Sequence, residues 1–302
     1  MKRKLFSTIV LVGIMSVAVG FTACGNQNKA VEENGSTTEQ FEPDSRFATI
    51  DTLADYMLAQ QREANTTEKL VDYYQSVATA MKSYWCINHN NHKDEDMNNI
   101  AETVCRELTV MADSLSGGNT WEMTRSGELR GAVSRYLTAQ KYFESNQKNP
   151  LYQEEMGAWI ELENKLLDFY GGLTQVANWG GSIVNVIHGG NISALADTRW
   201  QDYSQLVKGG QFASCEMSIN DARTELVQEI NDAKSIEDDA VDEEDFKNTV
   251  NDMRKSGDEL IPLLDKWLAV RAKLSESEGI PEAHTAHVIE SMVQTIQKLI
   301  EG

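Results

Sequence analysis

Cysteine and histidine side chains lie close together in the sequence between residues 86 and 105. Cys86, His89 and His92 are within one short stretch, and Cys105 follows it. Thiolate and imidazole groups are zinc ligands, so this set could hold a metal ion. A disulfide between Cys86 and Cys105 would instead close a loop and typically contribute about 3 kcal/mol of stability. Separate thiols are the third alternative. We take the disulfide as the candidate and predict no metal site.

Other residues that could do chemistry form weaker patterns. His284 and His287 are three residues apart and would share a helix face, but no acidic or cysteine neighbour completes a ligand set, so we expect surface histidines. Five carboxylates share the helix predicted from residue 151 (Glu154, Glu155, Glu161, Glu163 and Asp168). In a chain with 47 acidic residues, such a group does not by itself indicate a catalytic site. Phosphate-loop, nucleophile-elbow and zinc-protease motifs are absent from the sequence. We therefore predict no catalytic residue, no cofactor and no enzyme activity.

A tryptophan, a glycine-rich stretch and an arginine follow one another between residues 159 and 203. Trp159 comes first and Arg199 comes last. Between them lie three Gly-Gly pairs at nine-residue intervals (Gly171-Gly172, Gly180-Gly181 and Gly189-Gly190). Glycine adopts backbone conformations that other residues resist, and tryptophan offers a large apolar area. The stretch is therefore either a contact surface or a buried tryptophan beside a loop packed by glycine. In both cases the pattern predicts a break in the helices near 171–190.

Nearly every segment after Arg46 shows the period of an amphipathic helix. Ile100, Val104, Leu108, Met111 and Leu115, for example, are spaced by four, four, three and four residues. Sustained alternation of polar and apolar residues, which would indicate strands, is absent from the sequence. We predict an all-α fold, a multi-helix bundle built of helical hairpins. A break or kink is expected near Gly257 and Pro262 in the penultimate helix.

The net charge of the chain restricts the classes of molecule that it could bind. Lys and Arg number 27 and Asp and Glu number 47, so the formal net charge is −20. Nucleic-acid binding depends on basic residues that neutralise phosphates, and an acidic chain also repels anionic lipid. We therefore predict no nucleic-acid partner. The charge is compatible with a basic protein partner, although solubility alone would also account for it.

The N-terminus resembles the signal sequence of bacterial lipoproteins. Lys2, Arg3 and Lys4 precede an apolar run, and small residues lead to Cys24, as in a lipobox. The resemblance implies that Cys24 is diacylated and that the protein is anchored in the cell envelope, more in the outer membrane or at the cell surface than in the inner membrane. Removing residues 1–23 removes three positive charges, which changes −20 to −23.

The predicted organisation has four parts. Residues 1–23 form the signal peptide and residues 24–45 form a flexible tether, because they are too polar to build a core. Residues 46–147 form an N-terminal helical region, and residues 148–302 form a C-terminal one.

Several residues of the C-terminal region resemble the LprI-like lysozyme-inhibitor family. They lie within residues 151–207 and 258–275. Trp159 stands at the family's tryptophan, Gly180-Gly181-Ser182 match its Gly-Gly-Ser loop, and Leu195 and Arg199 match its last helix. Trp267 and Arg271 match the tryptophan and arginine of the first helix a second time. The chain departs from the pattern at the family's two cysteine positions, where Leu166 and Asn191 stand. It also has Leu162 in the aromatic place and Glu163 in the arginine place that follow Trp159.

This resemblance implies a helical binding protein with lysozyme as its partner and no catalytic residue. Trp159, Gly180, Gly181, Ser182 and Arg199 would then form the contact surface. The alternative is a structural or scaffolding envelope lipoprotein in which the same region is only core. In either case the membrane is contacted through the lipid anchor only.

Overall fold

The computed structural model is all-helical wherever the chain is described. The structure describes residues 41–63, 66–88, 95–118, 127, 130, 131, 133, 134, 137, 138, 149–181, 183–208, 216–236, 241 and 243–301. No strand occurs among these residues, and the predicted all-α fold is confirmed. The signal peptide, Cys24, Ser182, His89 and His92 lie outside the described residues.

Eight α-helices and one short 3-10 helix make up the described fold. The 3-10 helix is Ser45–Phe47. The α-helices are α1 (Ile50–Glu63), α2 (Thr67–Asn88), α3 (Glu95–Ser116), α4 (Leu151–Ala177), α5 (Val184–Lys208), α6 (Ile219–Lys234), α7 (Glu244–Glu278) and α8 (Glu282–Glu301). Further helical residues lie between 127 and 138. None of the helices in the described ranges is both long and apolar enough to cross a membrane.

The chain divides into two compact units, Met1–Glu122 and Met123–Gly302. The predicted division after residue 147 differs from this one, because the second unit begins at Met123. There, a Cβ added to Gly131 would lie only 2.8 Å from the Ile192 side chain of α5. Glycine thus permits a close approach to α5, a contact that sequence periodicity does not reveal.

Unit 1 is built on the packing of α2 against α3, with α1 and the 3-10 helix at one side of α2. The end of the predicted tether belongs to this unit. Asp44 N donates a hydrogen bond to Ser83 Oγ at 3.1 Å, and the Lys82 ammonium lies 4.2 Å from the centre of the Phe41 ring. Residues 41–45 are therefore attached to α2, although their polarity predicts a free linker.

Unit 2 has two main helix pairs, α4 against α7 and α6 against α8. Helix α4 also contacts α5 and α8, and α5 contacts α8. The apolar stripes of these helices meet in one core, which contains Phe169, Tyr170, Leu264, Ile289 and Met292. Their burial supplies the main driving force for assembly of the unit.

The predicted glycine-rich break near 171–190 is present but short, because only one of the three Gly-Gly pairs lies between two helices. Gly171-Gly172 lie inside α4, and Gly189-Gly190 lie inside α5. A Cβ on Gly172 would come within 2.9 Å of the Met253 Cβ on α7. Close packing of α4 on α7 thus outweighs the roughly 1 kcal/mol by which glycine weakens a helix.

Helix α7 runs from Glu244 to Glu278 without the predicted break. A proline inside a helix costs about 3 kcal/mol because it removes one backbone hydrogen bond. Pro262 faces solvent, while Met253, Leu264 and Trp267 on both sides of it are buried in the core. Packing along the whole length of α7 therefore keeps it continuous until Gly279, whose φ of 67° ends the helix in the left-handed region.

Candidate functional site

Trp159 and Arg199, two residues of the predicted contact surface, meet inside unit 2. The Arg199 guanidinium carbon lies 4.6 Å from the centre of the Trp159 ring, a cation–π contact. Each side chain has a relative exposure of only 2%. The expectation that they face a partner is therefore wrong, because the packing of α4 against α5 and α7 removes both from the surface.

The second tryptophan and arginine of the sequence pattern join the same place. The Trp267 ring contacts the Trp159 ring edge to face, with centroids 5.3 Å apart and an interplanar angle of 66°. Arg271 follows Trp267 by four residues on α7, and its guanidinium carbon lies 6.0 Å from the Trp267 ring centre. Residues four apart share a helix face, which explains why both point into the core.

Two carboxylates complete this arrangement and neutralise the two arginines. Glu155 on α4 is paired with Arg199 and lies 3.5 Å from Arg271 Nη1. Asp202 on α5 accepts from Arg199 Nη1 at 2.9 Å and from Arg271 Nη2 at 2.6 Å. All four side chains are at most 2% exposed. We refer to Glu155, Arg199, Asp202 and Arg271 as the buried ion cluster.

Neutral side chains form further hydrogen bonds with the charged groups of the cluster. Trp267 Nε1 donates to Glu155 Oε1 at 2.8 Å, and Arg271 Nε donates to Thr285 Oγ1 of α8 at 3.1 Å. The cluster therefore links α4, α5, α7 and α8. Buried charges are tolerated only when they are paired and hydrogen-bonded in this way.

The electrostatics follow from this geometry. Burial by itself would raise the pKa of Glu155, but the nearby Arg199 and Arg271 charges and the hydrogen bonds from Arg199 and Trp267 outweigh it and lower the pKa. Glu155 is thus held as a carboxylate at neutral pH. His284 lies at the start of α8 and is also buried. Burial lowers its pKa, and Arg271 and His287 add to that effect against the attraction of Asp202.

The buried ion cluster holds helices together through ion pairs. Its two positive and two negative charges balance, and no member has access to solvent sufficient to meet a substrate. Sequence reasoning found its tryptophans and arginines but missed Glu155 and Asp202 as their partners. The spacings Glu155-x-x-x-Trp159 and Arg199-x-x-Asp202 place each carboxylate on the same helix face as a recognised residue, and that is the signal that could have revealed them.

The third predicted element, the Gly180-Gly181 pair, is at the surface. It joins α4 to α5, and both glycines are exposed. Gly180 has a φ of 74°, and Gly181 N donates to Asn178 O at 2.8 Å, closing the turn. We call residues 178–187, which comprise the turn and the first four residues of α5, the glycine loop; Ser182 within it is outside the described residues.

Apolar side chains continue the exposed face of the glycine loop. Ile183 is 53% exposed and Val186 is 46% exposed. At the other end of the loop, Trp179 is fixed to α7: its Nε1 donates to Glu243 Oε2 at 3.1 Å, and its ring contacts Phe246 edge to face at 5.0 Å. The loop therefore presents apolar groups beside the acidic start of α7.

The cysteine prediction is corrected by the structure. Cys105 is buried and not disulfide-bonded, and its Sγ lies 3.8 Å from Ala78 O as a weak donor. Cys86 is disulfide-bonded, but its partner is not Cys105. Helix α3 packs along α2 so that Cys105 meets the middle of α2 near Ala78, whereas Cys86 lies two turns further along.

The histidines do not form a metal site in the described part of the chain. No group of three His, Cys, Asp or Glu side chains there is placed to hold a metal ion. His287 pairs with Glu290 at 3.6 Å and is partly exposed, as expected of a surface histidine. His284 is buried, contrary to that expectation, because α8 turns it toward the core beside Thr285.

Comparison with known proteins does not connect this site with a family. The chain matches no family model, and searches of curated proteins and of solved structures give no significant match.

Proposed function

We propose that this chain is a lipid-anchored binding protein of the bacterial cell envelope whose partner is a basic protein. The resemblance in its sequence suggests lysozyme as that partner. The observation that carries the proposal is the exposure of Gly180 and Gly181. They belong to the sequence pattern of the resemblance, and the fold leaves them accessible while it buries Trp159 and Arg199.

The charge of the chain supports a basic partner. The formal net charge is −20, and the acidic residues Glu243, Glu244 and Asp245 are exposed at the start of α7. Glu243 is hydrogen-bonded to Trp179 of the glycine loop, so this charge lies beside the proposed contact surface. A complementary field of this kind speeds the encounter of two proteins.

The buried ion cluster would contribute indirectly. It holds α4 and α5, the two helices that the glycine loop connects, and it joins them to α7. A loop held by a rigid base loses less conformational entropy when a partner binds. In this proposal Trp159 and Arg199 act as supports of the loop rather than as contacts.

A lysozyme assay tests the proposal directly. The purified chain is titrated into lysozyme, and lysis of cell walls is followed at low and at physiological salt. We expect inhibition at both. Inhibition at low salt alone would indicate non-specific electrostatic adsorption of a basic protein on an acidic one, because salt screens such an interaction. That result would count against a specific site.

Loop variants make the test specific. Replacing Ile183 and Val186 together by serine should abolish inhibition while the helical circular dichroism is retained. The matched control is Val110→Ser, which changes a side chain of similar exposure (52%) on α3 of unit 1. Equal inhibition by the wild type and the double variant would contradict the assignment of the loop.

The burial of Trp159 and Arg199 also favours a second candidate, a structural or scaffolding envelope lipoprotein without a lysozyme partner. In that case the Trp and Gly residues serve the core and the turn only. Absence of inhibition at either salt concentration would support this candidate over the first.

A further inference from the structure

Unit 1 contains an open groove that the proposed function does not use. It has a volume of about 420 Å³ and lies between the turn at Asp44–Phe47, helix α1 and helix α2. The groove is largely open to solvent, so it would enclose a ligand less fully than a typical small-molecule site does. We refer to it as the unit 1 groove.

One wall of the groove is aromatic. The Tyr56 ring of α1 contacts the Phe47 ring edge to face, with centroids 4.9 Å apart and an interplanar angle of 61°. Phe47 is buried and Tyr56 is half-buried. Packing against Phe47 holds the tyrosine in place, so the groove is lined by an aromatic ring that carries a hydroxyl.

A second part of the lining is polar and comes from one face of α2. Asp72, Gln75, Ser76 and Thr79 line the groove, and their spacing places them on the same side of the helix. Their side chains offer a carboxylate, an amide and two hydroxyls. Ser76 Oγ donates to Tyr73 O at 3.0 Å and Thr79 Oγ1 donates to Gln75 O at 2.8 Å, so the hydroxyl oxygens remain as acceptors and the Gln75 amide supplies the donor on this helix.

The charges in the groove restrict its ligand. Arg46 is neutralised by Asp44, which accepts hydrogen bonds from Nε at 2.8 Å and from Nη2 at 2.5 Å. Asp72 has no ion-pair partner among the described residues and leaves the groove with a net negative charge. Phosphates and carboxylates are therefore disfavoured, and the polar α2 wall disfavours an acyl chain.

We propose that the unit 1 groove binds a neutral carbohydrate unit. A sugar ring has an apolar face of C–H groups that fits the Tyr56 ring, and hydroxyls around its edge that match Asp72, Gln75 and Arg46. A small organic cation is the competing ligand, because a carboxylate beside an aromatic ring also attracts a cation. The predominance of neutral hydrogen-bonding groups on α2 favours the sugar.

The test uses the purified full chain and two probes. N,N′-diacetylchitobiose is a neutral disaccharide with hydroxyl and acetamido groups, and tetramethylammonium is the cation. Each is titrated to about 10 mM with binding followed by ligand-observed NMR, since an open groove is expected to give a Kd on the order of 1 mM. We expect saturable binding of the disaccharide and none of the cation.

Four variants separate the roles of the walls. Tyr56→Ala removes the aromatic surface and should weaken disaccharide binding about tenfold or more, whereas Tyr56→Phe keeps the ring and should leave it within about threefold. Asp72→Asn keeps an acceptor and should weaken binding only about three- to fivefold. The matched control Asp252→Asn changes an exposed carboxylate of unit 2 and should have no effect.

Folding of each variant is checked by circular dichroism. If Tyr56→Ala fails to fold, Gln75→Ala on the exposed face of α2 replaces it, with the same direction of effect expected. Absence of saturable disaccharide binding overturns the proposal. Disaccharide binding that is unchanged in both Tyr56→Ala and Gln75→Ala also overturns it. A third contrary result is that the chain binds tetramethylammonium but not the disaccharide, and that Asp72→Asn abolishes this binding. None of these outcomes depends on lysozyme inhibition.

Discussion

Arg271 on α7 binds both carboxylate oxygens of Asp202 on α5 in the interior of unit 2. Arg271 Nη2 donates to Asp202 Oδ1 at 2.6 Å, and Nη1 donates to Oδ2 at 3.1 Å. Paired hydrogen bonds of this kind fix the relative orientation of the two groups. The pair therefore ties α5 to α7 through side chains, and its integrity should govern the stability of the unit.

Asp202→Ala should destabilise unit 2 strongly. It leaves Arg199 and Arg271 with one carboxylate, Glu155, and loss of one partner from a buried ion pair costs about 3–5 kcal/mol. Urea unfolding followed by tryptophan fluorescence measures the change, because Trp159 and Trp267 lie beside the cluster.

An exposed ion pair provides the control. Lys266 pairs with Glu161, and both side chains are about half exposed. Lys266→Ala should therefore cost less than about 1 kcal/mol. Equal effects of Asp202→Ala and Lys266→Ala would show that the cluster does not connect the helices as described.

Acid should weaken unit 2 in two stages. The pKa of His284 in the folded state lies below its ordinary value of 6.5, so the unfolded state binds the proton more tightly and stability falls as the pH drops below 6.5. The pKa of Glu155 is also lowered, so its contribution is lost only as the pH falls below the ordinary 4.5.

Unfolding free energies measured in urea between pH 8 and pH 3, in steps of about half a unit, would resolve the two stages. His284→Gln cannot take up the proton and should flatten the curve between about pH 7 and pH 5. The decline below pH 4.5 should remain in this variant, because Glu155 is unchanged. A His284→Gln curve identical to that of the wild type would exclude His284 as the source of the first stage.

Gly180→Ala should destabilise unit 2 through the backbone alone. Gly180 has a φ of 74°, and an added Cβ would meet no atom within 4 Å. An alanine in the left-handed region costs about 1–2 kcal/mol. Urea unfolding followed by tryptophan fluorescence gives the change.

Gly190→Ala is the opposite case. Gly190 lies inside α5, has an ordinary helical backbone, and has the same open space around an added Cβ. Alanine should stabilise the helix there by roughly 0.5–1 kcal/mol. If the two substitutions change stability in the same direction, the conformation assigned to Gly180 is incorrect.

Cys24→Ser should release the protein from the membrane. The lipoprotein resemblance implies acyl chains on Cys24, and two or more chains are needed for stable anchoring. Fractionation of cells that produce the chain, with metabolic labelling by a radioactive fatty acid, measures both location and lipid. We expect label and membrane association in the wild type and neither in Cys24→Ser, with Cys105→Ser as the control that keeps both.

The helical fold could be predicted from the sequence because each helix carries its own apolar period. The stripe on α3 (Leu108, Met111 and Leu115) is buried as that period indicates. The ends of helices at glycine could not be predicted in the same way. Gly171-Gly172 and Gly180-Gly181 are chemically alike, and the close approach of Gly172 to Met253 on α7, which distinguishes the first pair, is not visible in the sequence.

The candidate site was predicted in part. Residue type and spacing singled out Trp159, Arg199, Trp267 and Arg271. They did not show that these side chains are buried. Glu155 and Asp202 share a helix face with Trp159 and Arg199, but the sequence does not show which helices they bridge, because the ion pairs between helices join residues 44, 69 and 116 positions apart. Such pairings depend on which helices lie side by side.

The sequence by itself determined the all-helical character of this protein, because helix formation depends on a period that repeats within a few residues. It also determined the strong acidity, which is a sum over side chains. Only the tertiary structure decided that Trp159 and Arg199 are buried and that Gly180 and Gly181 are exposed. Burial is a property of how helices pack, and packing joins residues whose separation in the chain leaves no local pattern.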